Sequence, residues 1–453
     1  MVVPGGFAQH GIGGAKDLPL PPELAIAGAV AALAVSFGVL ALAWRHPRYD
    51  GRQPGHTFGR PTPRALSDLI ASTGWHLAMR TIGMVFFGFG AFAAAFGQDL
   101  LTNPVFGMFY VWWWVGLPVA SLLLGPVWRA VSPVRTIHAA VGRLTGDTGN
   151  PGRGLYFYPE RLGYWPAALG LLAFVWIELV YPHGTELGPV RLWCAVYVGM
   201  MLIGGAVFGS EFYERADPFE VYSTLMSKLS VWAPTDDPGG DGRLLVRSPL
   251  ANLSTVEVRP GLVGVVAVLF GSTAFDSFRD STPWVRFVQS SDVSAYLLNN
   301  LALLAFCLVV GLVFVTGTIA TGVEAGTRRV GLPDVFAHSI VPIVAGYIVA
   351  HYLTYLVEVG QQTLILASDP LSNGSNLLGT AGWSVNYAIS YHPTALATTK
   401  VIAVVLGHVV GVVAAHDRAL TVLPERHRII GQLPVLGAMV AFTIGGLYLL
   451  FAA

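Results

Sequence analysis

Charge is scarce in this chain: 11% of its residues are Asp, Glu, Lys or Arg, against about 25% in ordinary soluble proteins. That shortage excludes a conventional soluble fold with a solvated surface. Cysteine is scarcer, with only Cys194 and Cys307, each inside an apolar run. A structural disulfide is therefore not expected, and no CxxC or CxxCH occurs to suggest a redox or c-type haem motif. Neither GxxxxGK[ST] nor a dinucleotide fingerprint is present, nor are HExxH and GxSxG. The chain thus carries no motif for P-loop nucleotide hydrolysis, zincin proteolysis or a nucleophile elbow. Nucleic acid and nucleotide are not expected as partners. No cleavable signal peptide is read either, because residues 1–22 lack an apolar core.

What is abundant is hydrocarbon. Hydrophobic residues make up 54% of the 453, and the mean hydropathy is +0.60. Ten apolar runs of spanning length occur, near 24–44, 77–97, 105–127, 164–181, 191–211, 260–276, 296–320, 334–357, 395–416 and 430–451. About 20 residues of helix cross the hydrocarbon core, so the expected fold is all-α: one integral membrane domain over 1–453, a polytopic bundle of about ten spans in the lipid bilayer. The sixth run is interrupted by Gly271, Ser272, Thr273 and Asp276. With the N-terminus outside, all Lys and Arg fall on the inner side except Lys16, Arg191, Arg279, Arg286 and Lys400. This follows the positive-inside rule at every loop. It predicts a bacterial inner-membrane location with both termini outside and a net acidic outer face.

The connections carry further signals. Residues 1–22 read as an irregular external segment in which His10 is open to either copper binding or a solvated role. Tyr110 and Trp112 to Trp114 fit an interfacial aromatic belt. After the third and fifth runs, WRAVSPVR and YERADPFE each place a capping residue, Ser132 or Asp217, before a proline. Such a pair starts a helix, and the following residues predict short amphipathic helices on the inner surface. The two prolines are 85 residues apart, which makes duplication of a two-span unit conceivable. The acidic turn at 236–241 lacks the alternate ligands of a calcium loop. FDSFRDSTPW reads as an outer segment with Asp276, Asp280 and Trp284.

The chain is organised around 333–418, two apolar helices joined by a long external loop, 358–394, that holds no Lys or Arg. On the first helix Tyr347, His351, Tyr355, Glu358 and Gln362 follow at offsets of 4, 4, 3 and 4, one polar line down a helix face. Ionisable residues inside a membrane are costly and usually face a protein interior or a water-filled path. The line reads either as a lining for a polar solute, proton or cation, or as a polar network holding helices together. His338, His351, His408 and His416 lie on the same two helices. Imidazole ligates copper or haem iron, so these four are the candidate metal ligands. As antiparallel neighbours the helices bring His338 and His416 to one level, while His338 and His351 do not share a face. Gly407, Gly411 and Ala415 form a small-residue stripe that predicts close approach to a neighbouring helix.

The strings HGIGGAKDLPLP, ADPFEVY, GSTAFDSF, FAHSIVPIVAGYIVAHY and GHVVGVVAAHDRAL together resemble a group of bacterial polytopic membrane proteins. These are common in high-GC actinobacteria and often labelled fenitrothion hydrolase. The resemblance spans nearly the whole chain, and the label implies hydrolysis of organophosphate esters, with no established catalytic residues to carry over. Members of that group begin with a signal peptide ahead of the segment matching FAQHG. Three functions stay open on the residues: handling or transport of a small polar solute or metal cation, a metal- or haem-bearing subunit of a membrane redox complex, and a membrane-embedded hydrolase.

Overall fold

The computed structural model of the protein describes residues 14–49, 59–144, 154–233, 243–322 and 328–452. His10 and the turn at 236–241 lie outside the described residues. In chain order the main helices are α1 (Pro22–Ala43), α2 (Thr73–Phe96) and α3 (Pro104–Trp113, bent by 41° into Gly116–Leu124). They continue with α4 (Pro133–Leu144), α5 (Trp165–Leu179), α6 (Leu187–Phe208), α7 (Pro218–Ser227), α8 (Leu262–Arg279) and α9 (Ala295–Ile319). The last three are α10 (Arg329–Leu366), α11 (Pro393–Val422) and α12 (Ile430–Phe451). Among the described residues eight helices are long and apolar enough to cross a membrane, or nine if bent α3 counts as one span. Helix α5 is apolar but only 15 residues long. The fold is thus helical and of membrane type. Its only strands among the described residues are three two-residue pieces, Arg60–Pro61, Trp232–Ala233 and Leu245–Val246, paired antiparallel.

The chain divides into two compact units: 1–53, 250–355 and 387–453 in the first, 54–249 and 356–386 in the second. In the first, α8 is the most enclosed span. It packs on α9, α10 and α12, while α11 packs on α10, α1 and α12. The interruptions that weakened this run in sequence are what fit it to the interior. A Cβ on Gly271 would lie 2.6 Å from the Cys307 Cα, so α8 and α9 touch backbone to backbone there. Asp276 does not belong to an outer loop; it lies inside α8 and is buried. The predicted stripe on α11 does let helices close up. A Cβ on Gly407 would sit 2.5 Å from the Pro342 carbonyl oxygen, and one on Gly411 2.7 Å from that of Ser339.

In the second unit helix α4 packs against α6, and α7 packs against α3. Asp217 caps α7 by accepting from the Phe219 amide at 3.0 Å, and the Arg135 amide reaches Ser132 Oγ at 3.4 Å. Residues 85 apart in sequence meet there. Arg129 pairs with Glu214 at 3.0 Å, and Arg135 binds both Glu220 oxygens at 2.6 Å. One expectation fails here: α7 does not lie on a membrane surface, because nearly all of it is buried. Phe219 anchors it in a cluster with Trp113, Trp128, Trp193 and Tyr197, and that aromatic burial outweighs the pull of its polar residues towards water.

Candidate functional site

Helices α8 and α10 of the first unit bring together a buried polar group in the apolar bundle. Asp276 and Ser277 come from α8; Tyr347, His351 and Tyr352 come from α10. The Asp276 Oδ2 lies 2.9 Å from His351 Nε2 and accepts from the Tyr352 hydroxyl at 2.9 Å. Ser277 Oγ is 3.1 Å from His351 Nδ1 and 3.1 Å from the Tyr347 hydroxyl. The Tyr347 hydroxyl also donates to the Gly446 carbonyl of α12 at 3.4 Å. Arg279, one turn beyond Asp276, stands 3.5 Å from Asp276 Oδ1 and 3.5 Å from Asp280. Its side chain is 30% exposed and that of Asp280 43%, whereas Asp276 and His351 are 3% and 5%. Charge therefore descends from a half-exposed rim to a sealed carboxylate–imidazole pair.

The reason is local. Asp276 and Arg279 are one turn apart on α8, and the helix continues to Arg279 rather than stopping before Asp276. His351 lies one turn after Tyr347, so both rings reach the same face of α8. A buried imidazole with both nitrogens bonded can carry a proton in at one and out at the other. The hydroxyls of Ser277 and Tyr347 extend that chain into the bundle.

Of the five residues on the polar line, Tyr347 and His351 enter this group. Tyr355 is buried in the same unit, while Glu358 is buried in the second unit and Gln362 there is exposed. Tyr355–Val359 is a π-helical turn, which departs from the 3.6-residue register that the spacing assumed. The helix also continues to Leu366, two turns into the stretch read as external loop. In that loop Asp369 accepts from the amides of Asn373 and Gly374 and from the Ser375 hydroxyl, which holds its carboxyl below the usual range.

The four candidate metal ligands take separate partners. His338 Nδ1 is 3.1 Å from the Val335 carbonyl, and His408 Nδ1 donates to the Val404 carbonyl at 2.8 Å. His416 bonds Gln432 Oε1 and the Trp44 carbonyl, each at 3.0 Å. Among the described residues no group of three or more His, Cys, Asp or Glu side chains is placed to hold a metal ion.

Sequence reasoning missed Asp276, Ser277, Arg279 and Tyr352. The available signal was an Asp one turn before an Arg at the end of an apolar run. It also missed a second buried acid. Asp217 in the second unit accepts from Trp128 Nε1 at 2.8 Å and the Tyr197 hydroxyl at 3.0 Å, besides its own Phe219 amide. Burial, with repulsion from Glu220, raises its carboxyl to about 7 against those three donations. Burial also raises Glu220, with Arg135 opposing. Compared with protein-family models, curated proteins and solved structures, the chain finds no match in any of the three.

Proposed function

We propose that this is a bacterial inner-membrane protein of about ten spans, with both termini outside, that handles or moves a small cation, the proton first of all, through the Asp276–His351 group. The carrying observation is the buried carboxylate–imidazole pair, reached from a half-exposed Arg279–Asp280 rim and continued inward by Ser277 and Tyr347. Ionisable groups kept inside a span cost enough that they mark ion paths and proton relays. The net acidic outer face supports a cation over an anion. In the relay a proton on Asp276 passes to His351 Nε2 as Nδ1 releases one to Ser277. The imidazole then holds the opposite tautomer and must reset before the next transfer.

The test is proton uptake into liposomes holding the purified protein, driven by a potassium diffusion potential. Asp276→Asn and His351→Gln should each abolish uptake in chains that still insert and fold, judged by yield and by helical circular dichroism. Flux through both variants equal to the parent's, or none through the parent, would overturn the assignment.

A second reading rests on one observation within the same group. Ser277 Oγ, His351 and Asp276 stand in hydroxyl–imidazole–carboxylate order, the constellation of a nucleophilic hydrolase. The resemblance to proteins labelled as organophosphate hydrolases points the same way. Phosphotriester hydrolysis lost in Ser277→Ala would favour this reading over the relay.

A further inference from the structure

The second unit contains a large apolar groove that neither reading uses. Its volume is about 890 Å³, and its walls are α2, α3, α6 and the turn into α4. Along α2 it runs from Ile82 to Ala95, 13 steps of helix or about 20 Å. Small residues such as Gly90, Ala91 and Gly199 open it, and aromatic rings including Trp113 and Trp128 back it. Its lining offers a water molecule few hydrogen-bond partners, so in a membrane hydrocarbon enters it. A flexible acyl chain matches an open apolar trough of this length.

Two features say which chain. The single charged side chain on the lining is Arg191, in the second turn of α6. Arg191 is exposed and makes no hydrogen bond or ion pair among the described residues. About one turn deeper, Trp113 lies against Trp193 and Tyr197 of α6 and forms part of the apolar wall. A cation at the rim and a long apolar trough beyond it match a phosphate and an acyl chain in that order.

We propose that the groove is a specific site for one anionic phospholipid, its phosphate paired with Arg191 and its acyl chain lying between α2 and α6. Native mass spectrometry of the detergent-purified, delipidated full chain tests this with phosphatidylglycerol and phosphatidylcholine as probes. The parent should take one phosphatidylglycerol with about a ten-fold preference over phosphatidylcholine, the scale of one charge-assisted contact. Arg191→Gln should bring that preference below about two-fold while the chain still binds. A Cβ on Gly199 meets nothing within 4 Å, so Gly199→Phe fills the groove without disturbing its wall and should remove the adduct with the lipid-free melting temperature unchanged. Equal uptake of both lipids by the parent, an unchanged preference in Arg191→Gln, or a full adduct in Gly199→Phe would each overturn the site. So would finding a second copy of the chain seated there instead of lipid.

Discussion

Breaking the Arg135–Glu220 pair tests how the second unit is held together. Both Arg135 Nε and its terminal nitrogen lie 2.6 Å from the carboxylate, in a fork that fixes α4 against α7. The Glu220 side chain is 2% exposed and that of Arg135 17%, so each single neutralisation strands a charge, and stranding Glu220 strands the deeper one. Removing one partner of a buried pair costs about 3–5 kcal/mol. Arg135→Gln should therefore fall at the upper end of that range and Glu220→Gln at the lower, since Arg135 keeps Glu214 at 3.9 Å and the Ser210 carbonyl at 3.2 Å. The double variant leaves two amides able to bond each other and should recover about 2–3 kcal/mol of the summed loss. Because the fork joins opposite charges across α4 and α7, Arg135→Glu with Glu220→Arg should also recover part of it. Equilibrium unfolding in mixed micelles, read by tryptophan fluorescence, measures all four corners of the cycle. Additive single effects, together with a charge swap no better than the worse single variant, would refute a pair acting as one unit.

Two other outcomes follow from the same structure. Asp217 has its carboxyl raised from 3.8 to about 7, so the native state favours the neutral form. Its stabilising contribution is complete below pH 3.8, falls between 3.8 and 7, and is gone above. That is as much as about 4 kcal/mol, so the stability of the parent relative to Asp217→Asn should decline over that window in a pH series of unfolding midpoints, and a constant difference would contradict it. For topology, cysteines placed at Gly142 and Leu377, in a background lacking Cys194 and Cys307, should label from opposite sides of intact spheroplasts; labelling from one side would remove the ten-span arrangement.

Several features were legible in the residues themselves because they depend on near neighbours in the chain. Apolar length placed the helices, since a span needs only enough consecutive hydrocarbon to match the bilayer. The Asp217–Pro218 start of α7 was readable because a cap bonds within its own first turn. The close-approach glycines on α11 were readable for the same kind of reason, each lacking a side chain of its own. The partners of the charged groups were not. His351 meets Asp276 across 75 residues of sequence and Arg135 meets Glu220 across 85, and no spacing rule reaches that far. Nor does a helix-wide periodicity foresee Tyr355–Val359, where a π-helical turn interrupts the 3.6-residue register. Burial of α7 was likewise a tertiary outcome. Its amphipathic pattern suits a membrane surface, but Trp113, Trp128, Trp193 and Tyr197 offered Phe219 an aromatic pocket and Arg135 offered Glu220 a guanidinium. Only the packed structure could supply both.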